Sequence, residues 1–477
     1  MSHFSKATIT IGFFLLLQLF VSGVFSDCGC DHTIEEGAFF INGEELGIKP
    51  GDVVCIMSGS YRALRFRAIN GVQNNPVVIK NCGGQVLVSN DELGYAVVFE
   101  WSSSFFHFTG TGDSSFEYGF EIIANKTGGG AMGVSLTDLS TNYEVDHLEI
   151  HHTAFAGLMA KTDPKCDGSA DQDKFVQRDI EIHHLYVHHT EGEGFYIGST
   201  QTNGQKITCD GVEEVHYPHF LEGVNVHSNI LSHTGWDGAQ VGFAKSDCKV
   251  WNNTIFDVGS GGVKYQQQGL QIGSYSACEV YNNVITDGPA CGIIVIESGE
   301  STFYNNLIAN VDIGVFADHR GRVPNAGYGF FFNTIVNYTT HGLRLWGDEH
   351  TNSKAISNII VGPEIQLYPE ESNEQWTISN NLLYETAPEG LFVSENDLML
   401  GDDSPARGAG LRRQGIEIDL NWEKRPNPPA AGVYEHPDDW IVDDDDDDDD
   451  IVSSHSRLDV QILTSSLLLL LIAIIML

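Results

Sequence analysis

Between residues 27 and 437 the apolar side chains come in short Val-, Ile- and Leu-rich runs such as Gly292-Ile-Ile-Val-Ile-Glu297. Gly, Asn and Asp separate each run from the next. Alternation along such a run places one side chain inward and the next outward. Gly and Asn supply the left-handed backbone that tight corners require. No stretch in this range keeps a helical period. The runs recur in register: an Asn precedes a short apolar strand at Asn229, Asn253, Asn283, Asn306, Asn333, Asn358 and Asn381, in steps of 24, 30, 23, 27, 25 and 23 residues. Upstream the unit persists without its Asn. Residues 180–198 align with 224–242 at a constant offset, and residues 147–159 align with 184–196, so the repeat covers at least 146–384.

Short strands recurring about every 25 residues with no helix between them cannot be βαβ units; they stack coil upon coil. The predicted fold is all-β, a single-stranded right-handed parallel β-helix. The recurring Asn predicts a ladder of side-chain hydrogen bonds, rung to rung about 4.8 Å apart. Both ends of such a stack need caps, because they expose apolar faces and strand edges. The cysteine-rich opening from Cys28 is one. The segment 401–437, with Ser404-Pro-Ala-Arg-Gly-Ala-Gly410 and Ala431-Gly-Val-Tyr-Glu435, is the other. The expected organisation is a leader at 1–26, a cap with the first coils at 27–145, central coils at 146–400, and the C-terminal cap at 401–437. An acidic stalk at 438–461 and a hydrophobic tail at 462–477 complete it.

Both ends of the chain bear on location. An apolar run at 9–25 follows Lys6, and Val24-Phe25-Ser26 places modest side chains before Asp27, the pattern of a secretory leader cut there. Residues 462–477 are apolar apart from Thr464, Ser465 and Ser466. A helix of that length spans about 24 Å, short of a hydrocarbon core of about 30 Å. Small residues, a polar spacer and an apolar tail describe a lipid-anchor signal, with Ser454 as attachment site and Ser456 two residues on. A single membrane span is the competing expectation. Either way the protein is expected outside the cell, in the extracellular matrix or on the outer membrane surface.

The chain carries a formal charge of −40, of which Asp443, Asp444, Asp445, Asp446, Asp447, Asp448, Asp449 and Asp450 supply only part. An acidic body argues against nucleic acid or anionic lipid as partner. It favours soluble cations, cationic surfaces or mineral. Nine cysteines in an exported chain imply disulfides with one thiol left over. Cys28, Cys30, Cys55 and Cys82 cluster at the opening, and their spacing matches no zinc site. Their pairing is not legible. Asn125, Asn252 and Asn337 begin glycosylation sequons, with Asn252 expected in a tight turn.

The opening (Cys30, Gly47-Ile-Lys-Pro-Gly-Asp52, Asn81-Cys-Gly-Gly-Gln85), the coils and the closing Gly-Val-Tyr-Glu segment together resemble secreted bacterial pectate-lyase-like β-helix proteins. The resemblance implies the fold over residues 28–436 and leaves activity open, because that fold hosts lyases, hydrolases and non-catalytic surface proteins. Catalytic motifs of its pectin-degrading members are missing from the coils: Asp402-Asp403 lies in the terminal cap, and Asp318-His-Arg-Gly-Arg-Val-Pro324 matches a lyase segment only partly. Lys264, Arg320, Arg322 and Arg344 are the cations available as lyase bases.

Coil alignment places His152, His189 and His233 at equivalent positions, continued by Asp257 and Asp287; four residues on, Glu193 and Asp237 are equivalent. Stacked imidazoles and carboxylates suit metal binding or acid–base work. A turn duplicated with its repeat explains the same column. His189, His233 and Arg344 are the catalytic candidates. The eight adjacent aspartates extend the chain by repulsion and offer hard oxygen ligands without the spacing of a dedicated calcium loop. Acidic body, aspartate run, export signal and apolar tail also resemble the aspartate-rich proteins of the coral skeletal organic matrix. That resemblance implies diffuse, low-affinity binding of calcium and of calcium carbonate. The leading expectation is a non-catalytic acidic matrix or cell-surface protein; the alternative is a polysaccharide lyase, hydrolase or glycan-binding adhesin using the β-helix groove on a matrix polysaccharide.

Overall fold

The computed structural model describes residues 28–347, 351–369 and 376–440. Its strands are almost all parallel and fall into two large sheets, of 23 and 12 strands. The larger is two ladders. Strands such as Val176–His183, Phe220–His227 and Ala244–Trp251 pair along a first face, and Tyr186–Thr190, Ile230–Thr234 and Thr254–Phe256 along a second. The two are counted as one sheet because the long strand Val77–Asn90 turns the corner and pairs in both. The twelve-stranded sheet, from Phe40–Asn42 to Ile365–Pro369, is the third face. Each coil contributes one strand to each face, which is the predicted right-handed parallel β-helix.

The register follows the repeat read from the chain. Ile180 pairs with Val224 and Tyr186 with Ile230, an offset of 44, and Glu149 pairs with Tyr186, an offset of 37. The coils also run upstream of the Asn-marked region, beginning with His32–Ile34 and Phe40–Asn42. Helix among the described residues is confined to Gly43–Leu46 and a 3₁₀ turn at Pro437–Asp439.

Inward side chains fill a continuous core that includes Phe66, Phe99, Val145, Ile182, Val226, Ile255, Ile285 and Leu343, all buried. Neighbouring coils stack like on like: Phe66 and Phe99, register partners on the third face, have ring centroids 4.6 Å apart, and on the first face Phe106 stacks on its partner Tyr143 at 5.4 Å. Gly292 sits where the second face turns into the third. A Cβ there would fall 2.4 Å from the Ile308 side chain, so only Gly allows the coils to approach.

The predicted ladder forms at the corner between the first and second faces. Each Asn side-chain amide donates to the next side-chain oxygen, at 2.9 Å from Asn229 to Asn253 and 3.0 Å from Asn253 to Asn283. The rungs continue at 2.9, 3.0, 2.9 and 2.8 Å to Asn306, Asn333, Asn358 and Asn381. The second amide hydrogen goes to a strand carbonyl, as from Asn283 to Val250 O at 2.9 Å.

Four disulfides form. Cys28–Cys82 and Cys30–Cys55 staple the opening cap, Cys166–Cys209 ties two long connections, and Cys248–Cys278 joins register-paired inward residues of adjacent coils. Cys291 is the remaining, buried thiol. The C-terminal segment also runs back along the stack. Ile418 O accepts from Asn305 Nδ2 at 2.8 Å, Gly432 N donates to Ser357 O at 2.8 Å, and Trp422 packs edge-on against Trp251. It is pinned by a buried Arg425–Glu435 ion pair.

Candidate functional site

The sequence candidates separate onto different faces. His152, His189 and His233 occupy left-handed corner positions, with φ of 48°, 52° and 51°, and Asp257 and Asp287 follow at 52° and 57°. Their rings stack nearly parallel, 5.3 Å from His152 to His189 and 4.7 Å from His189 to His233. Burial and the neighbouring imidazoles His188 and His233 push His189 down to about 4. The column is thus the duplicated turn with stacked rings. Parallel stacking holds the ring nitrogens coil by coil instead of converging them.

Arg344 lies elsewhere, on the outside of the third face, where its guanidinium sits 4.6 Å from the Phe316 ring and 5.2 Å from Trp346. The His189, His233 and Arg344 grouping is therefore not brought together as one site. Arg320 pairs with Asp318, Arg322 with Glu297, and Lys264 lies over exposed Tyr265. Asn125 and Asn337 are exposed, while Asn252 is half-buried at a left-handed corner, its amide donating to Ser228 Oγ at 3.0 Å. The aspartates 443–450 and Ser454 lie outside the described residues.

The third face carries the most coherent outward column. Register places Phe40, Arg65, Val98, Ser135, Met159, Tyr196, Gln240, Gln271, Ile294, Phe316, Arg344 and Tyr368 in line. No carboxylate falls in it, although the chain has 65 Asp and Glu. Its middle is sheltered: Gln240 and Gln271 are buried, and their amides share a 3.2 Å hydrogen bond. The long connections 161–175 and 198–219, which follow third-face strands, are tied to each other by Cys166–Cys209. Lys161 lies over the Tyr196 ring at 4.6 Å and pairs with Asp163 at 3.0 Å. Phe155 packs edge-on against both Tyr196 and Trp236.

At the corner leading into this face sit Glu193 and Asp237, equivalent positions of adjacent coils as the repeat predicted. Both are almost wholly buried, and Glu193 Oε2 and Asp237 Oδ2 have no hydrogen-bond partner. Asp237 Oδ1 accepts from Gln268 N at 2.7 Å. Burial pushes Glu193 up to about 7, against the opposing pulls of a backbone N–H and of Lys161. Burial and the neighbouring Glu193 charge push Asp237 up to about 8. Two carboxyls one coil apart that cannot readily both ionise hold a proton near neutral pH. This property was not legible in their spacing, since nothing in the chain tells which corner is buried.

This fold, a right-handed parallel β-helix of the pectate-lyase type, is shared with solved carbohydrate-active proteins. Pectate lyase Pel9A superimposes with a TM-score of 0.51 at 11% identity, over 86% of this chain and 98% of its own. The lacto-N-biosidase of family GH136 from Eubacterium ramulus matches at 0.47 and 10%, over 74% and 68%. An alginate lyase from Paenibacillus sp. str. FPU-7 matches at 0.37 and 16%, over 75% and 99%. Identities this low establish the fold alone. No known family's sequence profile matches the chain, and neither does any curated protein.

Proposed function

We propose that the protein acts outside the cell by binding an acidic polysaccharide along the outer surface of its third face. The observation that carries this is the stretch of that column from Tyr196 through Gln240 and Gln271 to Arg344, aromatic, amide and cationic side chains with no carboxylate in line, in a chain that is otherwise strongly acidic; at the column's start Arg65 is already paired with Glu100. Aromatic rings stack on sugar faces, amides pair with hydroxyls, and guanidinium groups pair with carboxylates. Self-repulsion would keep a polyanion off most of this surface, so the groove is where it can settle. The four disulfides agree with an oxidising, extracellular setting.

A second reading, cleavage of the bound glycan, is favoured by one observation. Burial pushes the Glu193 carboxyl up to about 7, which suits it to give or take a proton at neutral pH. The calcium and carbonate expectation rests on residues 443–450. Among the described residues, every close group of three potential metal ligands includes His or Cys, the latter already in disulfides, rather than an all-oxygen cage.

One experiment addresses both readings. The purified chain is run in gels containing pectate, alginate, a glycosaminoglycan or a neutral glucan, and parallel incubations are followed for unsaturated or reducing products. Retardation by an acidic glycan is expected, weakened about tenfold by Tyr196→Ala with Arg344→Ala, which corresponds to ~1.4 kcal/mol. Equal mobility in every gel overturns the binding reading. Product release abolished by Glu193→Gln, with retardation intact, assigns cleavage to that acid.

A further inference from the structure

The first face carries a set of groups that the groove does not use. Its outward positions in neighbouring coils bring together His107, Glu144, Asp146 and His183, because Glu144 pairs in register with His107 and Asp146 with His183. His183 Nε2 lies 3.1 Å from Glu144 Oε1 and 3.8 Å from Asp146 Oδ2. His107 Nε2 lies 3.5 Å from the same Glu144 oxygen and is in direct contact with Asp146 Oδ2. Two imidazole nitrogens and two carboxylate oxygens thus converge from three coils. The ligand atoms of His107, Glu144 and Asp146 all lie within 4.8 Å of one another, and His183 reaches both carboxylates from the next coil, at separations near the ~3.4 Å between ligands of a tetrahedral ion.

The surroundings orient the quartet. The other Asp146 oxygen accepts from Thr109 Oγ1 at 2.5 Å and contacts His147 Nδ1 at 2.6 Å, which fixes the carboxylate plane. The side chain of Asp146 is nearly solvent-free, at 3% exposure. His183 Nδ1 lies 2.7 Å from His184 Nδ1. With no ion His183 Nε2–H donates to Glu144 Oε1; when His183 instead donates Nδ1–H to His184, its Nε2 is unprotonated and can ligate an ion held between it and the carboxylates. Such partners behind the ligands are what metal sites use to set tautomer and direction. The stacked column at His152, His189 and His233 lacks this convergence.

We propose that His107, Glu144, Asp146 and His183 form a binding site for a divalent transition ion of the zinc class. Two imidazoles with two carboxylates suit such an ion, whereas calcium takes six to eight oxygens. The ion ties three consecutive coils together on the face opposite in use to the glycan groove. His227 closes a neighbouring trio with His183 and His184. That trio shares His183, so it competes for the same ion.

The test uses the full chain, stripped with a chelator and carrying no polyhistidine tag. Zn²⁺ is titrated by calorimetry, and Co²⁺ is used as a probe of coordination through its visible absorption. A saturable site with a tetrahedral Co²⁺ spectrum is expected. His107→Gln with His183→Gln should weaken Zn²⁺ by at least about 100-fold and abolish the spectrum. His152→Gln with His189→Gln should leave both unchanged. Asp146→Asn tests the carboxylate, and His107→Gln alone keeps the test decisive where Asp146→Asn fails to fold. Zn²⁺ affinity unchanged by His107→Gln, or lost on His227→Gln but not on His107→Gln, overturns the assignment.

Discussion

Asn283 sits in the middle of the ladder, with no solvent exposure. Its amide nitrogen donates to Val250 O and to Asn306 Oδ1, both at 2.9 Å. Its oxygen accepts from Asn253 N at 3.1 Å and Asn253 Nδ2 at 3.0 Å. Asn283→Ala deletes all four bonds. It strands the Val250 carbonyl, the Asn253 amide and one Asn253 side-chain hydrogen where water does not reach. At about 1–3 kcal/mol for each of the three unsatisfied buried groups, the cost is about 3–9 kcal/mol, the lower end applying where the neighbours relax. In a stack whose coils contact only their neighbours the damage should be local. Hydrogen exchange followed by mass spectrometry should therefore show faster exchange in Ala244–Trp251, Cys278–Tyr281 and Ser301–Tyr304, with distant coils unchanged. Asn283→Asp adds a second arm. The carboxylate still accepts from Asn253 but turns lone pairs on Val250 O and Asn306 Oδ1, so it should destabilise more than Ala at neutral pH and recover as acid restores an O–H donor. Thr302→Ala, a half-buried outward site on a neighbouring strand, should stay within about 0.5 kcal/mol. An Asn283→Ala chain that exchanges and melts like Thr302→Ala would refute the reasoning: the Asn residues would then be turn formers whose side chains contribute nothing.

Three further outcomes follow from buried or clustered charge. Glu193 and Asp237 hold protons more tightly folded than unfolded, so their contribution is complete below about pH 4 and is lost as pH rises through about 7 and 8. For Asp237 the loss is on the order of 5 kcal/mol, so melting temperature should fall across that window and Asp237→Asn should flatten the fall; an unchanged pH profile in that variant removes the acid pair as its cause. Arg425→Ala should leave Glu435 buried without its cation and cost about 3–5 kcal/mol, read as earlier proteolysis within residues 404–436, and cleavage kinetics like those of the parent chain contradict it. Deleting residues 443–450 should remove most low-affinity calcium uptake measured by calorimetry and any effect on carbonate precipitation, whereas unchanged uptake would move calcium binding to the body of the molecule.

The coil stack was legible because it is written in identities as well as in periodicity. An Asn repeated in register can be seen in the chain, and the offsets it implies reproduce the strand pairing. The column of His152, His189 and His233 was legible for the same reason, and so was the equivalence of Glu193 and Asp237. What one chain cannot display is which corner is buried, so the protonated character of those acids was hidden. Nor could residue type place Arg344, which belongs to a different face from the histidines it was grouped with. The quartet at His107, Glu144, Asp146 and His183 escaped because it draws on the strand Ser104–Thr109, upstream of the Asn-marked coils. Extending the offset of 37 one coil further upstream, from Glu181 to Glu144 to His107, would have exposed it.

The way insertions are absorbed explains how one stack can carry distinct chemistries. Coil lengths vary, yet the strands keep register, because extra residues go into connections such as 161–175 and 198–219. A column is therefore defined by its place on a face, and each face can change character along the axis independently of the others. The outward column of the first face shows this within a few coils. It passes from Asp146, His183 and His227 to Trp251, Tyr281, Tyr304 and Phe331. The rings continue one stack without interruption, His227 to Trp251 at 4.3 Å and Tyr281 to Tyr304 at 4.8 Å. The aromatic part is where the C-terminal segment seats, with Trp422 against Trp251 and the Arg413 guanidinium 3.6 Å from the Phe331 ring. Apolar rings without that cover would be an exposed patch of the kind that drives association. Imidazoles and carboxylates need no such cover, and the segment stops short of them. The return of the chain and the proposed ion site thus divide a single column between them, at the coil where His227 gives way to Trp251.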